Sequence, residues 1–142
     1  MQFNICKGLT FTSSNGIDYL NNTNYGFSPK SVAPNHDKNS MYNNNTQRTL
    51  LQTTNNLTYV GSWDKHNLTA TGVWEATKST TTAMNINGSN LMNEGVGWWN
   101  VNNAKVITAG NSYSNWALLS GVARVMYNYG DKYMLTGTLR AD

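Results

Sequence analysis

Leu68-Thr69-Ala70-Thr71-Gly72-Val73-Trp74-Glu75-Ala76-Thr77 is the stretch on which the fold turns. Leu68, Ala70, Trp74 and Ala76 share one parity, with Gly72 between them. Thr69, Thr71, Glu75 and Thr77 share the other, with Val73 as the exception. Side chains of a strand alternate between two faces, so this pattern sorts apolar from polar groups. A helical period would mix the two sets, and the stretch therefore predicts a half-buried strand.

Working outward, Leu57 to Trp63 predicts the preceding strand, and Asp64 to Asn67 a turn. Thr80 to Ile86 continues the alternation and ends at Asn87-Gly88, a hairpin signal because both residues tolerate positive φ. Gly95 to Val101 and Ala104 to Ala109, separated by Asn102-Asn103, predict another hairpin. Trp116 to Tyr127 is the longest apolar stretch, with Gly121 marking a bulge or bend. Its rival reading is a helix, since Leu118, Leu119, Val122, Val125 and Met126 also have helical spacing. Gly130-Asp131 marks the last turn and Tyr133 to Arg140 the last strand. Upstream, Leu9 and Phe11 alternate against Thr10 and Thr12, and residues 16–20 suggest a short second strand. Residues 21–56, with Pro29, Pro34 and Asn43-Asn44-Asn45, are weakly patterned and read as a loop-rich segment or an inter-subunit arm.

Short strands punctuated by turns every ~8–12 residues predict an all-β domain over 1–142. The expected architecture is an antiparallel sandwich (jelly-roll-like) or a small barrel of about 8–10 short strands. Composition agrees. The chain of 142 residues carries 23 Asn, 17 Thr and 11 Ser but only 12% charged residues. Threonine favours strands, whereas asparagine and serine favour turns. Five Trp, eight Tyr and three Phe argue for a packed chain over a disordered one.

The net charge of +3 comes from ten basic residues spread almost evenly along the sequence. Nucleic-acid binders cluster such residues, so that partner is not expected. Cys6 is the only cysteine, which excludes an intrachain disulfide and predicts a small buried hydrophobe. Met1 to Lys7 has no basic stretch leading into a long apolar run, so no classical signal peptide is expected. No apolar stretch reaches the length of a transmembrane helix.

Groups suited to catalysis are few. His36-Asp37 lies in the weakly patterned segment and Asp64-Lys65-His66 in a predicted turn. There is no Gly-x-Ser-x-Gly elbow, no His-x-x-x-His and no acidic calcium loop. Gly95-Val96-Gly97 lacks the third glycine of a nucleotide loop. The chain is read as a non-enzyme with no cofactor and no metal. The candidate ligand-binding residues are aromatic: Trp98, Trp99, Tyr127, Tyr129 and Tyr133, with Asp131 beside them. Trp98 and Trp99, if in a strand, face opposite sides, so one is expected in the core and one in solvent. The tyrosines flank the Gly130-Asp131 turn as an expected exposed cluster. Exposed rings beside Asn, Thr and Asp suit the apolar faces and hydroxyls of sugars.

Gly61-Ser62-Trp63 is similar to the Gly-x-Trp signature at the first strand of lipocalin-like and avidin-like barrels. Here some 60 residues precede it, and no ligand is carried across. Taken together, these features lead to the expectation of a self-assembling structural or attachment protein of a virion, such as a phage decoration, tail or fibre component. It would form a homo-oligomer or join other virion subunits, and sit in a virion or extracellular surface assembly. Two alternatives stand beside it: a lectin-like module for a host-surface glycan, and a membrane-active β-protein.

Overall fold

The structure is a computed structural model that describes residues 1–32 and 38–142. His36-Asp37 and Pro34 lie outside the described residues. Six strands build one antiparallel sheet in sequence order: β1 (Gln2–Cys6), β2 (Leu9–Ser28), β3 (Ser40–Trp63), β4 (His66–Leu91), β5 (Ala104–Tyr129) and β6 (Tyr133–Ala141). β1 and β6 form its two edges, and the sheet is open. The all-β antiparallel expectation is met, while the sheet of this chain does not close on itself and shows neither the sandwich nor the barrel.

The number and length of strands differ from expectation. β2 to β5 have 20, 24, 26 and 26 residues, against the ~3–10 of ordinary globular strands. Residues 16–20 are therefore the middle of β2 and not a separate strand. Residues 21–28 and 40–56 are strand, although asparagine-rich runs favour turns. Pairing with neighbours on both sides overrides that local preference, as β-propensity is context-dependent. Asn45 shows how: its amide donates to Asn21 Oδ1 and Thr23 Oγ1, each at 2.8 Å, forming a polar rung across two strands. Asn87-Gly88 is not a hairpin, because β4 runs on to Leu91. Residues 115–127 are strand throughout, so the helical rival fails. Gly121 opens a regular register, Gly121↔Ala141 through Tyr129↔Tyr133, with no bulge between β5 and β6.

Two compact units can be separated within the chain. The first comprises Met1–Ile17, Leu50–Ser79 and Trp116–Asp142; the second comprises Asp18–Thr49 and Thr80–Asn115. In the second unit, Met41, Leu91 and Ala104 form a small buried core, flanked by Phe27, Trp98 and Val101. Asn39, only 1% exposed, holds it together. Its amide oxygen accepts from the Leu91 N–H, and its amide nitrogen donates to the Leu91 carbonyl at 3.1 Å and to Glu94 Oε1 at 2.9 Å. The Lys30 N–H also donates to Glu94 Oε1. These donors, Lys30 first and Asn39 second, hold the Glu94 carboxyl below the usual carboxylate range.

The expected strand at Gly95–Val101 is instead a pair of short 3-10 turns, Glu94–Val96 and Val101–Asn103. Asn93 and Asn100 cap them, each accepting a backbone N–H two residues on. Asparagine side chains compete well with ladder pairing, which explains why strand pairing stops here.

Candidate functional site

The two faces of the first unit differ, and strand pairings together with ring contacts establish which residues share a face. Phe3 is paired with Phe11, and their rings stack at 6.5 Å. Phe11 stacks on Trp74 at 5.8 Å. His66, an even number of residues from Trp74 on β4, stacks on Trp63 at 5.6 Å. His66 also meets Tyr127 and Tyr129, at 5.9 and 4.9 Å. Tyr127 is paired with Leu135, Tyr129 with Tyr133, and Ala123 with Leu139. Alternation then assigns Leu9, Leu57, Leu68, Ala70 and Val125 to this same face. Its large side chains are open to the surroundings: Leu119 is 69% exposed and Ile17 77%.

The opposite face carries the unit's charged and most of its hydrogen-bonding side chains, with Val60, Trp116, Leu118, Val122 and Met126 among them. Thr10 donates to Asn4 at 3.3 Å, Ser62 to Asn67 at 2.7 Å, and Thr54 to Glu75 at 3.3 Å. Arg124, paired with Thr138, and Arg140, paired with Val122, lie on it with Glu75. Arg140 donates to Asp142 at 2.8 Å, which holds that carboxyl below its ordinary range and raises the guanidinium. By alternation, the only lysine, arginine, aspartate or glutamate on the apolar face in this unit's strands is Lys78, among the described residues.

The apolar face ends in an aromatic rim beside two tight turns. Asp64 and Asp131 adopt positive φ there, as does Gly130. The Gly130 N–H donates to the Lys65 carbonyl at 2.7 Å, tying the two turns together. Trp63, His66, Tyr127, Tyr129 and Tyr133 line this end. His66 Nδ1 and the Tyr127 hydroxyl lie 2.6 Å apart, a hydrogen bond whose donor follows the imidazole tautomer. The arrangement gives each ring an apolar body and a polar tip, the character of side chains that sit at a boundary between apolar and aqueous phases.

Of the residues singled out from sequence, Tyr127, Tyr129, Asp131 and Tyr133 come together at this turn end. Asp131 is tied to Asn128, whose amide donates to it at 2.8 Å. Trp98 and Trp99 belong to the second unit and do not flank opposite sides of a strand. Their rings stack on each other at 3.9 Å, and Trp98 stacks on Tyr25 at 3.7 Å. Trp98 leans on the small core while Trp99 is 77% exposed. From sequence, His66 stood only among groups suited to catalysis and Trp63 only in the Gly-x-Trp resemblance, while Lys78 was passed over; the signal joining them was their parity relative to Trp74, readable once β3 and β4 are in register. Gly61-Ser62-Trp63 closes β3 and does not open a strand. Cys6, expected to be buried, is exposed and paired with Leu9. Among the described residues, no three His, Cys, Asp or Glu side chains gather as a metal site.

No known family model matches the sequence. No curated protein matches it either. Solved structures do match in fold. A chain of the RagAB peptide transporter superposes with a TM-score of 0.86 at 19% identity, covering 98% of this chain and 16% of that one. The RagAB peptide importer in its closed-closed state gives 0.85 at 20% identity, and in its open-open state 0.79 at 19%. This chain spans 16% of the length of each. At such identities the likeness is one of fold.

Proposed function

We propose that the first unit is part of the wall of a membrane-spanning β-barrel, with its apolar face against lipid and its polar face toward an aqueous lumen. The observation that carries this reading is the alternation itself. On β4 and β6 apolar side chains go to one face and mostly polar ones to the other. On β5 the first face stays apolar from Ala117 to Tyr129, while the second mixes Ser120, Arg124 and Asn128 with Trp116, Leu118, Val122 and Met126. Outer-membrane-type barrels are built this way, with tight turns at one end and aromatic girdles at the lipid boundary. In water, an exposed apolar surface of this extent marks a contact surface. No helix among the described residues is long and apolar enough to cross a membrane, and strands supply another means of crossing.

The length agrees. From Ala117 to Tyr129 the apolar parity of β5 persists without a charge, and about 9–11 residues of a tilted strand cross a bilayer. An open sheet edge is not tolerated in hydrocarbon, because each unpaired backbone group there costs several kcal/mol. The outer edges of β1 and β6 therefore pair with further strands of the same barrel. The fold likeness to peptide-transporter chains supports a transport role, in which Glu75, Arg124 and Arg140 line the solute path. This reading gives the chain no catalytic step. It favours the membrane-active alternative over the virion assembly, for which nothing in the fold speaks.

Retention in lipid vesicles tests it. The intact protein, reconstituted in phosphatidylcholine vesicles, is expected to float with lipid after an alkaline carbonate wash. Release of folded protein into the wash would overturn the proposal.

A further inference from the structure

A groove of about 490 Å³ crosses the apolar side of the first unit. Its walls are Ile17, Leu51, Ala76, Ala117 and Leu119, and Lys78 stands among them. Ala76 and Lys78 share the parity of Trp74 on β4, Ala117 and Leu119 that of Tyr127 on β5, Ile17 that of Phe11 on β2 and Leu51 that of Trp63 on β3, so the groove opens on the face that the proposed function turns toward lipid. Lys78 is exposed and has no ion-pair partner among the described residues.

A lone ammonium on a lipid-facing surface is costly at the membrane midplane, and the cost falls toward the interface. The position of Lys78 fits the interface. From His66 in the aromatic rim to Lys78, β4 runs roughly 40 Å at ~3.4 Å per residue. For a strand tilted by about 40°, that is roughly 30 Å along the membrane normal, about the thickness of the hydrocarbon layer. Lys78 thus lies at the level of the headgroups opposite the turn end. The flexible lysine stem lies along apolar surface while its ammonium reaches polar groups.

From this placement we infer that the groove is a binding site for a lipid with an anionic phosphate headgroup. One acyl chain lies against Ile17, Leu51 and Leu119, and the phosphate pairs with Lys78. The small side chains Ala76 and Ala117 leave the room that the chain occupies. The charge is complementary, and no carboxylate lines the groove to compete for the ammonium. The inference rests on the membrane-wall reading and adds the class of lipid and the residue that selects it.

Quenching of tryptophan fluorescence by lipids brominated on their acyl chains separates the two. The intact protein is reconstituted in phosphatidylcholine with increasing brominated phosphatidylglycerol, and in parallel with increasing brominated phosphatidylcholine. A roughly fivefold preference for phosphatidylglycerol is expected, the value of one lysine near an anionic headgroup. Lys78→Gln is expected to bring the ratio close to one, while Lys65→Gln leaves it unchanged. Quenching by both lipids without preference would overturn the lipid site and leave the barrel-wall reading standing. An equal loss in Lys65→Gln would also overturn it, by showing general charge attraction. Absence of quenching by either lipid would remove both.

Discussion

Ala123→Arg is expected, on the proposed barrel-wall reading, to destabilise the protein in lipid by about 2–4 kcal/mol, the penalty for a guanidinium on a lipid face near the bilayer midplane. Ala123 is paired with Leu139 in the middle of the apolar parity of β5 and β6, between Gly121 and Val125. In that wall an arginine there would have no aqueous face to turn to, and its length would only partly relieve the cost by reaching toward an interface. Thr136→Arg provides the internal control. Thr136 is paired with Met126 on the opposite face, where Arg124 and Arg140 already lie. In an aqueous lumen the added charge stays hydrated, and a change below about 1 kcal/mol is expected. Urea unfolding in phosphatidylcholine vesicles measures both. Equal effects at the two positions would mean that both faces meet the same medium.

Gly8→Ala is expected to cost about 2–4 kcal/mol through a different mechanism. Gly8 sits in the β1–β2 turn at φ +82°, where a residue with a side chain is strained by about 1–3 kcal/mol. A Cβ at that position would also collide with the Val60 carbonyl oxygen on β3. The Gly8 carbonyl accepts from the Val60 N–H at 2.7 Å, so the turn cannot shift without losing a hydrogen bond worth about 1 kcal/mol. Gly16→Ala is the comparison. Beyond its two chain neighbours nothing lies within 4 Å of where its Cβ would stand, and a change within about 0.5 kcal/mol is expected. The same unfolding measurement in vesicles distinguishes them.

The strand class was legible in Leu68 to Thr77 because a period of two survives whatever the sheet packs against. Strand length was not. Asn43-Asn44-Asn45 and Asn87-Gly88 carry turn chemistry, and in a short hairpin they would form turns. Within strands flanked on both sides, ladder bonds and rungs such as Asn45 with Asn21 and Thr23 hold them extended. At Asn93 and Asn100 the opposite happened, because their side chains cap 3-10 turns and the ladder gives way.

The site was legible in part. Tyr127, Tyr129 and Tyr133 share a parity and flank one turn, so their clustering could be read directly. Their joining with Trp63 and His66 depends on the register of β3, β4 and β5, which sequence spacing does not fix. The apolar face was in view from the start as Leu68, Ala70, Trp74 and Ala76. It reads as core in a sandwich and as lipid contact in a membrane wall. The membrane-wall proposal rests on the open sheet, its strand lengths and the exposure of residues such as Ile17 and Leu119.

The most direct test is a cysteine spin-label scan of β5 from Ala117 to Tyr129, in a Cys6→Ser background reconstituted in vesicles. Accessibility to oxygen, which concentrates in lipid, and to a water-soluble nickel complex is read at each position. The barrel-wall account predicts opposed oscillations of period two. Oxygen access peaks at Leu119, Ala123 and Val125, and nickel access at Val122, Arg124 and Met126. Nickel access at every position, or no alternation at all, would contradict it.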